Sequence, residues 1–146
     1  MVRELFPYLR VRDGHAALKL YGELLGAELR LCLIDPGDGR VGHAELALPC
    51  GAVLMVSDAY PEYGIHAPDG AGGASIHLHV DDADAELARW VAAGARVVQP
   101  ASDTFYGERS GKVVDPFGPE WMIGHEIEAV TPEEMQRRWR EMVAAG

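Results

Sequence analysis

Two cysteines in 146 residues, Cys32 and Cys50, without a Cys-x-x-Cys spacing, exclude a disulfide framework and a zinc ribbon. Both read as buried thiols. No apolar run approaches the roughly 20 residues that cross a bilayer, and "MVRELFPYLRV" reaches Glu4 too early for a secretory leader. A cytoplasmic location is the expectation. Basic residues are also scarce, 13 Lys and Arg against 23 Asp and Glu, for a formal net charge of -10. Nucleic-acid binding and attraction to anionic membranes both need clustered positive charge, so neither partner is expected.

What is present is a globular composition, 48% hydrophobic and 25% charged, in a length that suits one domain with a core. An internal repeat organises it. "LRVRDGHAALKLYGELLGAELR" (9 to 30) aligns with "LHVDDADAELARWVAAGARVV" (78 to 98), setting Val11 on Val80, Asp13 on Asp82, Leu18 on Leu87, Tyr21 on Trp90 and, after a one-residue slip, Gly26 on Gly94. The shared pattern is a strand, an Asp that accepts from the free amides of a first helical turn, an amphipathic helix, and a glycine that ends it in the left-handed conformation. Leu18, Tyr21 and Leu25, like Leu87, Trp90 and Val91, recur at helical spacing and read as core. A second match, "LPCGAVLM" (48 to 55) against "DPFGPEWM" (115 to 122), marks a turn between strands in each half. Each half therefore reads β-α-β-β-β. One domain spanning 1–146 is expected, with module 1 at about 5–58, a Pro- and Gly-rich linker at 59–74, module 2 at about 75–128 and a terminal helix at about 131–144.

With "PYLRVRD" (7 to 13), "GHAEL" (42 to 46), "HLHVDDADA" (77 to 85), "FYGERSGKVVDPFG" (105 to 118) with Trp121, and "VTPEEMQRR" (130 to 138), the chain resembles the vicinal oxygen chelate superfamily. That group includes glyoxalase I, extradiol dioxygenases, fosfomycin-modifying enzymes and bleomycin-binding proteins, and the nearer likeness is to its PhnB-like branch. The resemblance implies an α+β fold, two βαβββ modules forming a curled mixed sheet around a cleft, with helices on the outer face. Alternation along each strand then sorts the residues. Ile76, Leu78 and Val80 face the helix, leaving Ser75, His77 and His79 on the cleft side. Phe6, Tyr8, Arg10, His43, Glu45, Met55, Ser57, Lys112, Met122, Gly124 and Glu126 join them, while Val11, Leu46, Leu54, Val56 and Ile123 face the core.

The superfamily's metal enzymes take one ligand from the first and one from the last strand of each module. Those positions fall here on Phe6, Met55, Ser75 and Met122, and none suits a hard divalent ion. No metal or other cofactor is therefore expected. A non-standard site would have to draw on His43, Glu45, His77 and His79. Residues two apart on a strand stand about 7 Å apart, so His77 and His79 share an ion only with converging rotamers.

The resulting expectation is a cleft that binds a small aromatic or carbonyl-containing molecule. Phe6, Tyr8, Met55 and Met122 supply aromatic and thioether surface, with Ser75 beside them. Arg10 or Arg109 pairs with a ligand carboxylate or phosphate, and Tyr106 and Glu108 lie in the "FYGERSG" loop. The alternative is an enzyme: a metal-free isomerase or dehydratase, with His77 or His79 moving protons, Glu45 orienting and Tyr8 donating, or a metal-dependent lyase or dioxygenase on the non-standard His/Glu site. His15, His66 and His125 read as surface or structural residues. The tail places Thr131, Pro132 and Glu134 as a helix start, with Met135, Trp139 and Met142 on one apolar face. A homodimer is expected from that stripe.

Overall fold

The computed structural model describes residues 1–70 and 73–146; Ala71 and Gly72, in the predicted linker, lie outside the described residues. The chain divides into two units, Met1–Gly73 with Asp115–Pro119 and Ala74–Val114 with Glu120–Gly146. The first contains β1 (Tyr8–Val11), α1 (Gly14–Leu25), β2 (Glu28–Ile34), β3 (Val41–Ala47) and β4 (Val53–Asp58). The second repeats the order with β5 (Ile76–His79), α2 (Ala83–Ala92), β6 (Arg96–Asp103), β7 (Glu108–Val114) and β8 (Glu120–Glu126), then adds α3 (Pro132–Ala145). Each holds a four-stranded mixed sheet, ordered β1-β4-β3-β2 and β5-β8-β7-β6. In both, the first strand pairs in parallel with the last, and the remaining pairs are antiparallel. The fold is α+β, built from two β-α-β-β-β modules. Among the described residues no helix is long and apolar enough to cross a membrane.

The helix signals act as their chemistry dictates. Asp13 accepts from Ala16 N at 3.1 Å and Asp82 from Ala85 N at 3.1 Å. Gly26 closes α1 in the left-handed region with φ 62°. One face of each sheet is then buried under its helix: Val11, Leu46, Leu54 and Val56 with Leu18 and Tyr21 in the first unit, and Val113, Trp121 and Ile123 with Leu87 and Trp90 in the second. Trp90 and Trp121 meet with ring centroids 4.8 Å apart. Three expectations need correction. Val91 is exposed, because the buried side of α2 runs through Ala83, Leu87 and Trp90. Cys50 is exposed in the β3–β4 turn, and Cys32 is only half-buried on β2, an edge strand.

A buried carboxylate ties the first unit together. Asp58, at the end of β4, accepts from Gly14 N and from Val41 N, each at 2.7 Å, joining the starts of α1 and β3. Gly14 has no space for a side chain, since a Cβ would meet Asp58 Oδ2 at 2.6 Å and Val41 Cβ at 2.8 Å. In the second unit the corresponding position is His125, whose Nδ1 accepts from Ala83 N at 2.9 Å. The structural reading of His125 thus has a partner and a purpose. Asp58→Ala should destabilise by about 3 kcal/mol in urea unfolding, since two bonds to a charged acceptor are worth roughly 1.5–3 kcal/mol each; His125→Ala should cost only about 1 kcal/mol.

Helix α3 begins as expected, with Thr131 accepting from Glu134 N at 3.2 Å. The Glu134 carboxylate does not complete a capping box but turns to Arg137 and Arg138, at 2.7 and 2.9 Å. Arg138 also reaches Glu128 at 2.8 Å and Phe105 O at 3.0 Å, and Trp139 packs on Phe105 with centroids 5.4 Å apart. Arg137, then Arg138, holds the Glu134 carboxyl down to about 2. A depressed carboxyl contributes stability above its unfolded value, near 4.3, and loses it as pH falls through the folded value. The protection of amides 132–145, taken relative to the intrinsic exchange rate at each pH, should therefore fall on acidification from about pH 5 to about pH 2. Glu134→Gln should flatten that part of the response.

Candidate functional site

On the first unit, the strand face turned away from α1 carries a chain of polar groups. Tyr8 on β1 lies opposite Met55 on β4, and Met55 lies opposite Glu45 on β3, so the register gathers the three across adjacent strands. The Tyr8 hydroxyl is 2.6 Å from His43 Nδ1, and His43 Nε2 is 3.3 Å from Glu45 Oε1. A carboxylate only accepts, so in the neutral ring the proton sits on Nε2 toward Glu45, and Tyr8 donates to Nδ1. The order is Tyr8 to His43 to Glu45, with an exposed phenol at its outer end.

Arg10, two residues on, lays its guanidinium 3.9 Å from the centroid of the Tyr8 ring and donates to Ser57 Oγ at 3.3 Å. Among the described residues it has no carboxylate partner within ion-pair distance. Arg109, the other candidate for an anionic ligand, is differently placed. It projects to the helix side of β7 and is held by Asp84 at 2.7 Å and Asp103 at 2.9 Å, with Asp84 first in keeping it protonated. Phe6 and Ser75 precede β1 and β5, and both are exposed.

The second unit gathers a different set. His77 on β5 lies opposite Met122 on β8, which in turn faces Lys112 on β7. Glu108 is the first residue of β7 rather than a loop residue, and its carboxylate receives His77 Nε2 at 2.7 Å, with His79 Nε2 at 3.6 Å. The two imidazoles stand edge to face with centroids 4.7 Å apart. Glu108 is positioned by the turn before it: Gly107 has φ 87°, its carbonyl accepts from Ile127 N and Glu128 N, and Thr104 Oγ1 donates to Glu108 O at 2.7 Å. Gly124 provides the room, because a Cβ there would collide with Glu108 Oε1.

Beside this group is a cavity of about 560 Å³, lined by His79, Tyr106, Glu108, Glu126, Val130 and Met135 among others. Tyr106 approaches Ser110 Oγ at 3.5 Å and packs edge-on against Phe105. The four residues considered for a non-standard metal site are thus divided. His43 and Glu45 join Tyr8, while His77 and His79 join Glu108. Alternation could have found Glu108, for two steps back from Lys112 through Ser110 reach it on the same face.

The superfamily's usual metal does not fit the positions inherited for it. A phenyl ring at Phe6, thioethers at Met55 and Met122 and one hydroxyl at Ser75 offer no imidazole or carboxylate.

Comparison with known proteins agrees with the architecture. Residues 5–123 match the Glyoxalase/Bleomycin resistance protein/Dioxygenase superfamily. The chain is 35% identical over 137 residues to protein Mb0911c of Mycobacterium bovis, covering 90% of this chain and 89% of that one. It is similar to the crystal structure of PA1353 from Pseudomonas aeruginosa, with a TM-score of 0.68 and 31% identity over 86% of this chain and 98% of that one. The PhnB protein of Bacillus cereus shares the fold at a TM-score of 0.68 and 16% identity, over 84% of this chain and 99% of that one. Repeat, topology and sequence match lead to one assignment: the chain belongs to the glyoxalase/bleomycin resistance protein/dioxygenase superfamily.

Proposed function

We propose that the protein binds a small organic anion with an aromatic or carbonyl-bearing body on the far face of the first unit, without a metal at the superfamily's usual positions. The observation that carries this reading is Arg10. A half-buried guanidinium stacked on Tyr8, bonded to Ser57 and lacking a carboxylate partner among the described residues, is a cation held in place for an incoming acceptor. Tyr8, 41% exposed, offers aromatic surface beside it.

The Tyr8–His43–Glu45 chain favours a second reading, proton transfer at a carbon next to a carbonyl. The proton leaving the carbon would pass to the Tyr8 oxygen as Tyr8's own proton passes to His43 Nδ1, the resulting imidazolium would be held by Glu45, and the reverse path would return a proton to the carbon. Binding comes first in both readings, so one experiment separates them. Aromatic carboxylates and 2-oxo acids are screened against the full chain by ligand-observed NMR. Saturable binding should weaken about 10-fold or more in Arg10→Met, the equivalent of about 1.4 kcal/mol, and stay unchanged in Arg109→Met. Equal affinity in Arg10→Met would remove the proposal. Deuterium uptake by a bound 2-oxo acid in heavy water, lost in Tyr8→Phe and His43→Gln, would establish proton transfer; binding without uptake would leave sequestration.

A further inference from the structure

We propose that His77, His79 and Glu108 form a divalent transition-metal site on the second unit, displaced from the positions the superfamily's metal enzymes use. The donor atoms of the three side chains all lie within 4.8 Å of one another. With metal–donor bonds near 2.0–2.1 Å, a tetrahedral ion holds its donors about 3.3 Å apart. The observed separations from Glu108 Oε1, 2.7 Å to His77 Nε2 and 3.6 Å to His79 Nε2, bracket that value. The two-residue spacing that argues against shared ligation is overcome by convergence of the rings to 4.7 Å. Adjustment is easy, because the His79 side chain is 77% exposed.

Charge points the same way. The Glu108 side chain is only 12% exposed, and a carboxylate removed from water calls for a cation. Among the described residues no Lys or Arg lies within ion-pair distance of it. Its neighbour Arg109 is bound to Asp84 and Asp103 on the opposite face. The backbone is arranged for the carboxylate as well, since Gly124 leaves the space that Glu108 Oε1 occupies. Two imidazoles and one carboxylate suit Zn²⁺, Fe²⁺, Co²⁺ or Ni²⁺ better than Mg²⁺ or Ca²⁺. Three protein donors leave at least one coordination position, and the adjoining cavity, which His79 and Glu108 help to line, has room for the group that fills it.

This site is independent of the proposed anion site, which rests on Arg10 and Tyr8. Its test contains no organic compound. Untagged full-length protein, stripped with chelator and dialysed, is titrated with Co²⁺ while visible absorption is recorded, and with Zn²⁺ in competition with a chromophoric chelator. One ion should bind per chain. His77→Ala, His79→Ala and Glu108→Gln should each weaken binding at least about 100-fold, the upper end of what loss of a merely orienting partner costs. Gly124→Ala displaces the carboxylate without removing a donor residue, so it should also weaken binding while the thermal melt shows a folded chain. His43→Ala should bind like the parent. Absence of saturable uptake, or uptake that His77→Ala and Glu108→Gln leave unchanged, would overturn the site.

Discussion

The short parallel ladder between the first and last strands governs the layout of each unit. A parallel pair cannot be joined by a hairpin; it needs a crossover of a dozen or more residues. In the first unit that crossover is α1, β2 and β3, and in the second it is α2, β6 and β7. The helix covers one face of the sheet, so side chains on alternate positions must be apolar there and are released from that demand on the other. Every residue of chemical interest in either unit, Tyr8, Arg10, His43, Glu45, His77, His79 and Glu108, occupies the released parity.

Within that shared frame the units have diverged at corresponding positions. Tyr8 corresponds to His77 and Arg10 to His79, because Tyr8 pairs with Met55 as His77 pairs with Met122. Ser57 likewise corresponds to Gly124. In the first unit the Ser57 hydroxyl receives Arg10. In the second the missing side chain at Gly124 makes room for Glu108. One face therefore presents a guanidinium without a carboxylate partner among the described residues and the other a shielded carboxylate flanked by imidazoles. On the two proposals, the same backbone would favour an anion in the first unit and a cation in the second.

The parts of this architecture encoded locally were legible in the sequence. Asp13 and Asp82 announce helix starts by side chains that reach three residues ahead, and Gly26 announces an end by its own φ. The repeat then fixed the topology, and alternation placed His77 and His79 on one face. What failed was non-local. The start of β7 depends on Gly107, whose carbonyl is held by the backbone of Ile127 and Glu128 far later in the chain, and the motif "FYGERSG" contains no sign of that contact. Alternation counted back from Lys112 reaches Glu108 only when the strand is known to continue through Gly111, and the motif does not show that it does. Glu108 is a buried partner of His77, and Arg109 belongs to the helix side. Asp58 carries no local sign for a similar reason, since both amides it receives come from distant segments.

Strand parity also explains how a site can move without losing its surroundings. A displacement of one residue along a strand turns a side chain into the helix-covered core, where an imidazole or carboxylate is costly. A displacement of two keeps the face and moves the group about 7 Å. His77 to His79 is such a step on β5, and Tyr8 to Arg10 is one on β1. A polar group two residues along the same strand therefore keeps the same face. The partner it needs must come from a neighbouring strand, as His43 does for Tyr8 and Glu108 does for His77.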